Sequence, residues 1–424
     1  MSEFGSASTV FISCVAVTLL SAVAGCGQVH GLPDASPPAD AALMDASVPC
    51  QWQLGQGRLL AHAGFLSVRW DSLLTPGLRG SDSSAWVISQ DDEGTWLHQL
   101  DVNGDDLMPP TQVSSDHGLE SDVSVDILLG RDGGGIVIYS GCPPEGEVCS
   151  LFAGGESEDY PVPQLRAFDA DGVLGPVQYL DAPLSIDETL VGSAAGDGFV
   201  VVVANDSPAN SLVQAVSATG DLRGPLMRGL FSTAVFAGYP VEPNAARFVL
   251  NPRADGSVWL ATLEAVGRPR RELRTDIGIG LRGALSGIAV GASRARIVLT
   301  TLDHVYALTP AGQLEWTRRT ARSIQSPVVV GETVFLLSSH GTTVELLRLG
   351  DMGSLEESVE LGDLAFNPEH VAFQAQYSAV STGSGLLLFG TESVPFNEPH
   401  PYPDRHVHVY PVRCLPPRPT GDAG

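Results

Sequence analysis

Asp101-Val102-Asn103-Gly104-Asp105-Asp106 sets side-chain oxygens at every second position. At that spacing Asp101, Asn103 and Asp105 could wrap a hard cation such as calcium. Without a metal the same run is a hairpin turn, with an Asp carboxylate accepting a backbone N–H two residues on. His406-Val407-His408 puts two imidazoles on one strand face, with His400 close by, a pattern open to zinc or copper. No acid or thiol stands at a fixed spacing from them, so a solvated strand face is the competing reading. Arg268, Arg270, Arg271 and Arg274 form a basic cluster that could grip an anionic sugar or partner, or line a solvated loop. Gly278-Ile279-Gly280-Leu281-Arg282-Gly283 has the glycine spacing of a dinucleotide loop, with Asp303 about 20 residues on. The Arg-rich stretch before it is no buried strand, and Gly287 and Gly291 weaken the helix that must follow. It reads as a Gly-rich loop between strand units.

Composition narrows the chemistry further. All 23 basic residues are Arg, against 49 acidic ones, for a formal charge of −26. No basic stripe exists to displace counterions from nucleic acid, and charge alone would not bring the chain to an anionic bilayer. The absence of Lys removes both a Schiff-base nucleophile and the P-loop lysine. Gly-x-Ser-x-Gly, His-Glu-x-x-His and Cys-x-x-Cys are also absent. The chain is 43% apolar, enough for a core, and its 47 Gly and 30 Pro suit a protein full of turns.

These candidates must be positioned by strands. Seven apolar segments start near Trp86, Ile136, Phe199, Val258, Ile297, Val334 and Leu386. Several are unbroken, such as Phe199-Val200-Val201-Val202-Val203 and Leu386-Leu387-Leu388-Phe389. Short, β-branched and apolar on both faces, they read as strands covered on both sides. Turns closed by Gly recur beside them at residues 100–104, 168–172, 216–220, 308–312 and 349–353. In each, an Asp or Ser type residue and a Gly meet the needs of a tight hairpin. The units are spaced 37 to 63 residues apart, near the 40–50 of four-stranded propeller blades once insertions such as residues 142–163 are allowed for. Val305-Tyr306-Ala307-Leu308-Thr309-Pro310-Ala311-Gly312-Gln313-Leu314-Glu315-Trp316 resembles the repeat of quinoprotein-like β-propellers. Residues 326–335 resemble the strand that enters the next blade. The expected fold is therefore an all-β propeller of seven blades, with six or eight as alternatives and paired sandwiches as the competing architecture. Quinone-dependent propeller dehydrogenases carry a vicinal Cys pair and a Lys at the cofactor. This chain has neither, so the resemblance implies the scaffold and not that enzyme, and no organic cofactor is expected.

The N-terminus carries an address. Val10 to Ala24 is an uncharged apolar run, too short for a span and suited to a signal-peptide core. It ends Val23-Ala24-Gly25-Cys26, which resembles the lipobox of bacterial lipoproteins. The resemblance implies cleavage before Cys26, acylation of Cys26 and anchoring to a membrane of the cell envelope, with Gly27 in place of Asp favouring the outer one. Residues 1–25 are thus the expected signal peptide and 26–49 a lipidated, Pro/Ala/Asp-rich disordered tether with a mean span of about 25–30 Å. Residues 50–415 form the propeller, and 416–424 a polar tail. Propeller lipoproteins of this kind help assemble outer-membrane proteins, which implies a protein partner for a monomeric chain, or a glycan ligand. The alternative is a hydrolase or lyase acting on glycans at the channel mouth.

Beyond Cys14 in the leader and Cys26, four Cys remain, an even number in an exported chain. Cys142 and Cys149 flank a short Pro-Pro-Glu-Gly loop and are natural partners. That leaves Cys50 with Cys414, a bond that would join the two ends of the propeller. Free buried thiols, or a Cys50 used between chains, are the alternatives.

Overall fold

The structure, a computed structural model, describes residues 51–61, 65–66, 84–91, 93–114, 126–130, 133–141, 162–180, 189–204, 211–230, 235–242, 244–250, 258–275, 285, 287–290, 296–301, 303–320, 324–330, 333–340, 343–350, 352–363, 376–382, 385–393 and 405–415. All belong to one compact unit. Strands β1 (Gln51–Leu54) and β2 (Arg58–Leu59) come first, and six four-stranded antiparallel sheets follow. Blade 1 holds β3 (Phe65–Leu66), β4 (Ser84–Asp91), β5 (Gly94–Asp101) and β6 (Thr111–Ser114). Blade 2 holds β7 (Asp126–Leu129), β8 (Gly135–Gly141), β9 (Val162–Phe168) and β10 (Leu174–Tyr179). Blade 3 holds β11 (Thr189–Ala195), β12 (Gly198–Ala204), β13 (Leu212–Ser217) and β14 (Leu222–Arg228). Blade 4 holds β15 (Val235–Glu242), β16 (Ala245–Leu250), β17 (Val258–Glu264) and β18 (Pro269–Thr275). Blade 5 holds β19 (Gly287–Val290), β20 (Ile297–Thr300), β21 (His304–Leu308) and β22 (Leu314–Arg319). Blade 6 holds β23 (Ile324–Val330), β24 (Thr333–His340), β25 (Thr343–Leu349) and β26 (Leu355–Asp363). Blade 7 holds β27 (Gln376–Ser381), β28 (Gly385–Ser393) and β29 (Arg405–Leu415), and takes β1 and β2 as its outer strand.

The continuous apolar runs now have a cause. Successive side chains of a strand point to opposite faces, and each sheet is pressed between two neighbours. In β12, Phe199, Val201 and Val203 pack with blade 2, while Val200 and Val202 pack with blade 4. In β28, Leu386 and Leu388 pack with blade 6, while Leu387 and Phe389 pack with blade 1. Seven apolar clusters result, one in each gap between consecutive blades. The gap between blades 7 and 1 is filled like the rest, by Leu387, Phe389, Val407 and Val409 against Leu60, Ala85, Val87 and Leu100. The sheets therefore close into a seven-bladed β-propeller.

Two sequence expectations need correction. Val258 opens β17, the third strand of blade 4, where the other six apolar starts fall in second strands. The second strand there is β16, Ala-Ala-Arg-Phe-Val-Leu, whose alanines and Arg247 hide it. Arg270, Arg271 and Arg274 lie in β18, the outer strand of blade 4, and not in a loop. Residues 278–283 fall in the connection between β18 and β19, outside the described residues.

The Gly turns join third to fourth strands. In the one at Gly350, Gly350 N–H donates to Ser354 O and Gly353 N–H returns to Gly350 O. The same two bonds recur at Asp101, Asp169, Ser217 and Thr309, and also at Glu264, a sixth copy that the sequence pattern missed. Gly353 has φ +70°, and a Cβ on it would meet Trp316 ring carbons at 2.5–2.9 Å. Trp316 belongs to the core between blades 5 and 6 and has nowhere to go. Gly353→Ala should therefore lower stability by about 3 kcal/mol, combining left-handed strain with overpacking. Gly224, at φ +68° with nothing within 4 Å, should lose only about 1 kcal/mol as Ala. Urea midpoints of the two variants that move equally would contradict the packing half of this account.

Candidate functional site

The ring has two unlike ends. Each blade is an antiparallel meander, so its first-to-second and third-to-fourth connections share one end, the turn face. The second-to-third connection and the crossing to the next blade share the other, the loop face. On the turn face the chain reverses tightly between Ala195 and Gly198, Glu242 and Ala245, Val330 and Thr333, and at the six Gly turns, with residues 67–83 the long exception. On the loop face lie the long connections 115–125, 142–161, 180–188, 205–211, 276–286, 364–375 and 394–404. Loops of this length on a rigid scaffold are where binding residues are carried. Cys142, Cys149 and His400 fall in this set and outside the described residues, as do Cys26 and Cys50.

Asp101, Asn103 and Asp105 are brought together in one turn. Asp101 Oδ1 accepts the N–H groups of Asn103 (2.7 Å) and Asp105 (2.9 Å), and Oδ2 accepts Asn103 Nδ2 (2.8 Å). Partial burial works to raise the Asp101 pKa, but these donors outweigh it and hold the carboxyl below its ordinary range. Both oxygens are committed to closing the turn, and a cation would have to displace those bonds. His408 is half-buried on β29 opposite Gly390, with its ring 6.3 Å from that of Tyr410, and His406 is registered opposite Glu392. Among the described residues no group of three or more metal-ligating side chains occurs. Cys414 is disulfide-bonded and lies opposite Trp52 on β1.

A chain of polar groups that sequence reading overlooked sits at the junction of blades 7 and 1. His98 Nε2 lies 2.8 Å from Ser89 Oγ, and His98 Nδ1 lies 3.2 Å from Asp106 Oδ1. Arg58, on β2, donates from Nη1 to Asp106 Oδ2 at 3.2 Å and from Nε to Gly104 O. Burial raises the Asp106 pKa, and the His98 hydrogen bond with the Arg58 charge brings it below the ordinary range. Ser, His and Asp follow one another as in a nucleophilic triad. Ser89 and His98 are both 0% exposed, however, so no substrate reaches the hydroxyl. The chain instead ties β2, which belongs to blade 7, to the turn of blade 1. The signal in the sequence was His98 at a core-facing position of Trp96-Leu97-His98-Gln99-Leu100.

Comparison with known proteins gives the fold and no more. No protein-family profile and no characterised sequence matches the chain. In structure it is similar to the RRP9 WD40 repeats, at 14% identity and TM-score 0.50 over 86% of this chain and 100% of that one. It is similar also to the Pan2 WD40 domain of Neurospora crassa, at 10% identity and TM-score 0.50 over 87% and 96%. BamB from Moraxella catarrhalis aligns at 12% identity and TM-score 0.46 over 85% and 99%.

Asp106→Asn should cost about 2 kcal/mol at pH 7, the worth of a hydrogen bond to a charged group. The folded-state pKa is depressed, so this stability is complete above the ordinary value of 3.8 and lost as pH falls through the folded value. Urea unfolding should show the gap between wild type and variant closing in acid. A gap that stays constant below about pH 3 would show that the charge plays no part.

Proposed function

We propose that this chain is a lipid-anchored binding scaffold of a bacterial cell envelope that presents its loop face to a protein partner. The observation that carries the reading is where the chain enters the ring. β1 runs antiparallel to β29 from Gln51, opposite Leu415, to Leu54, opposite Val412. The last residues of β29 lie at the turn face, so the N-terminal segment joins the ring there. A tether from an acylated Cys26 would approach the turn face and leave the long connections pointing away from the membrane. Gly27 after the acylated residue supports an outer-membrane destination. A propeller suits this task because its blades fix the roots of all the loops on one rigid frame while the loops vary.

Cys26→Ser should leave the protein without fatty acid and release it from membranes. Metabolic labelling that still marks the Ser variant would contradict the anchor. Photo-crosslinking residues placed in cells at Glu93 and Asp303, on the loop face, should give adducts with a partner. The same residues at Val266 and Met352, exposed on the turn face, should give none. Adducts from the turn face alone would reverse the assignment of faces.

A further inference from the structure

The turns between third and fourth strands carry apolar side chains where a turn needs none. Their backbone is the same in six blades, closed by the same two hydrogen bonds. In the position just before the Gly, blades 1, 2 and 3 have Asn103, Asp171 and Thr219, as turn chemistry favours. Blades 4 and 6 have Val266 and Met352 there, 58% and 67% exposed. Val173 follows the Gly of blade 2 and is 64% exposed. Leu107, Leu222 and Leu355 are exposed just past the Gly of blades 1, 3 and 6. None of these side chains belongs to a core between blades. One exposed apolar residue on a protein surface means nothing. Their recurrence at equivalent corners of five blades, all at one end of the ring, marks a contact surface.

What the corners face follows from where the chain enters the ring. β1 starts at Gln51, opposite Leu415, at this same end. If Cys26 is acylated, as proposed above, the tether from it has a mean span of about 25–30 Å. The corners are then held beside the bilayer at high effective concentration. Contacts too weak to recruit a free protein suffice to seat one that is already tethered.

The side chains between the apolar ones select the kind of surface. Asp105, Asp171 and Asp221 are exposed in these turns. An anionic bilayer would repel them. A zwitterionic one offers a cationic headgroup end to the carboxylates and acyl carbon to the apolar side chains.

We propose that the turn face rests on a zwitterionic lipid surface, with Val173, Val266 and Met352 among the side chains that enter its headgroup layer. The proposal rests on the acylation of Cys26, so its test reads anchor and contact separately. The full acylated chain is placed in phosphatidylcholine vesicles with one photo-crosslinking residue, at Val266 or Met352 on the turn face, or at Glu93 or Asp303 on the loop face. Flotation with the vesicles reports the anchor, and a mass gain of one phospholipid on irradiation reports the contact. All four proteins should float, and only the two turn-face positions should give lipid adducts. Val173→Asp, Val266→Asp and Met352→Asp combined change only exposed side chains, so that protein should keep its Tm and still float. Lipid adducts from a probe at Leu222 should fall at least about tenfold in it. Flotation without turn-face adducts would overturn the docking and leave the anchor standing. Equal lipid adducts from both faces, adducts that join two copies of the chain in place of lipid, or no loss in the Asp variant would overturn it too. A chain that does not float would remove the anchor and the docking with it.

Discussion

A sheet that is apolar on both faces has no stable existence alone, and every sheet of this protein is of that kind. Val200 and Val201 are adjacent in β12, point opposite ways and are both buried. Each fully buried side chain of this size contributes about 1.5–3 kcal/mol, but only while a neighbouring blade covers it. An open row of blades would leave one face bare at each end. Closing the ring removes both bare faces at once, and the whole fold depends on that closure.

The closure rests on a short segment. β1 contributes only four residues of pairing to β29, little by itself. What holds it is packing. Trp52 and Leu54 join the core between blades 6 and 7, and the Trp52 ring meets Phe335 edge-on at 5.0 Å. Such a ring pair adds about 0.5–1.5 kcal/mol beyond the area it buries. A few residues further on, Leu60 joins the core between blades 7 and 1, and Arg58 reaches across to Asp106. The N-terminal segment is thus fastened on both sides of blade 7, and the disulfide at Cys414 adds a covalent restraint on the strand beside it.

Much of this architecture was legible in the sequence, because two-sided burial leaves an unbroken apolar run and a tight hairpin leaves a Gly. Where either mark is blurred, reading failed. Glu264-Ala265-Val266-Gly267 makes the same turn as Thr309-Pro310-Ala311-Gly312, but Glu lacks the short oxygen that caps a turn and Val266 looks like strand. β16 was passed over because its third residue is charged. The polar chain at the junction was invisible for another reason. Ser89, His98, Asp106 and Arg58 come from four separate segments, and only closure of the ring brings Arg58 to the others. The loop face was legible as length and position, while its chemistry is spread over connections whose partners in space no spacing rule reveals.

Polar groups enter the cores between blades in two places where the comparison is instructive. At the junction of blades 7 and 1, Ser89, His98, Asp106 and Arg58 are joined in sequence by hydrogen bonds, with Arg58 Nη2 left over. A buried network of that kind adds little net stability over an apolar core, but it discriminates. Asp106 accepts a cation from one direction, and β2 meets that need only when it lies in its proper register on β29. Between blades 4 and 5 a second intrusion places the Arg247 guanidinium against Thr262 Oγ1, which accepts from its Nε, and against the Tyr239 phenol. The first arrangement answers a demand of the fold, since a seam must be told apart from six similar gaps. The second answers no demand of the fold: Val200, Phe335 and Leu387 show that an apolar residue serves at that position. Arg247 is only half-buried there and shares its guanidinium between Thr262 and Tyr239, so blade 4 tolerates a charge at a position where the other blades keep an apolar side chain.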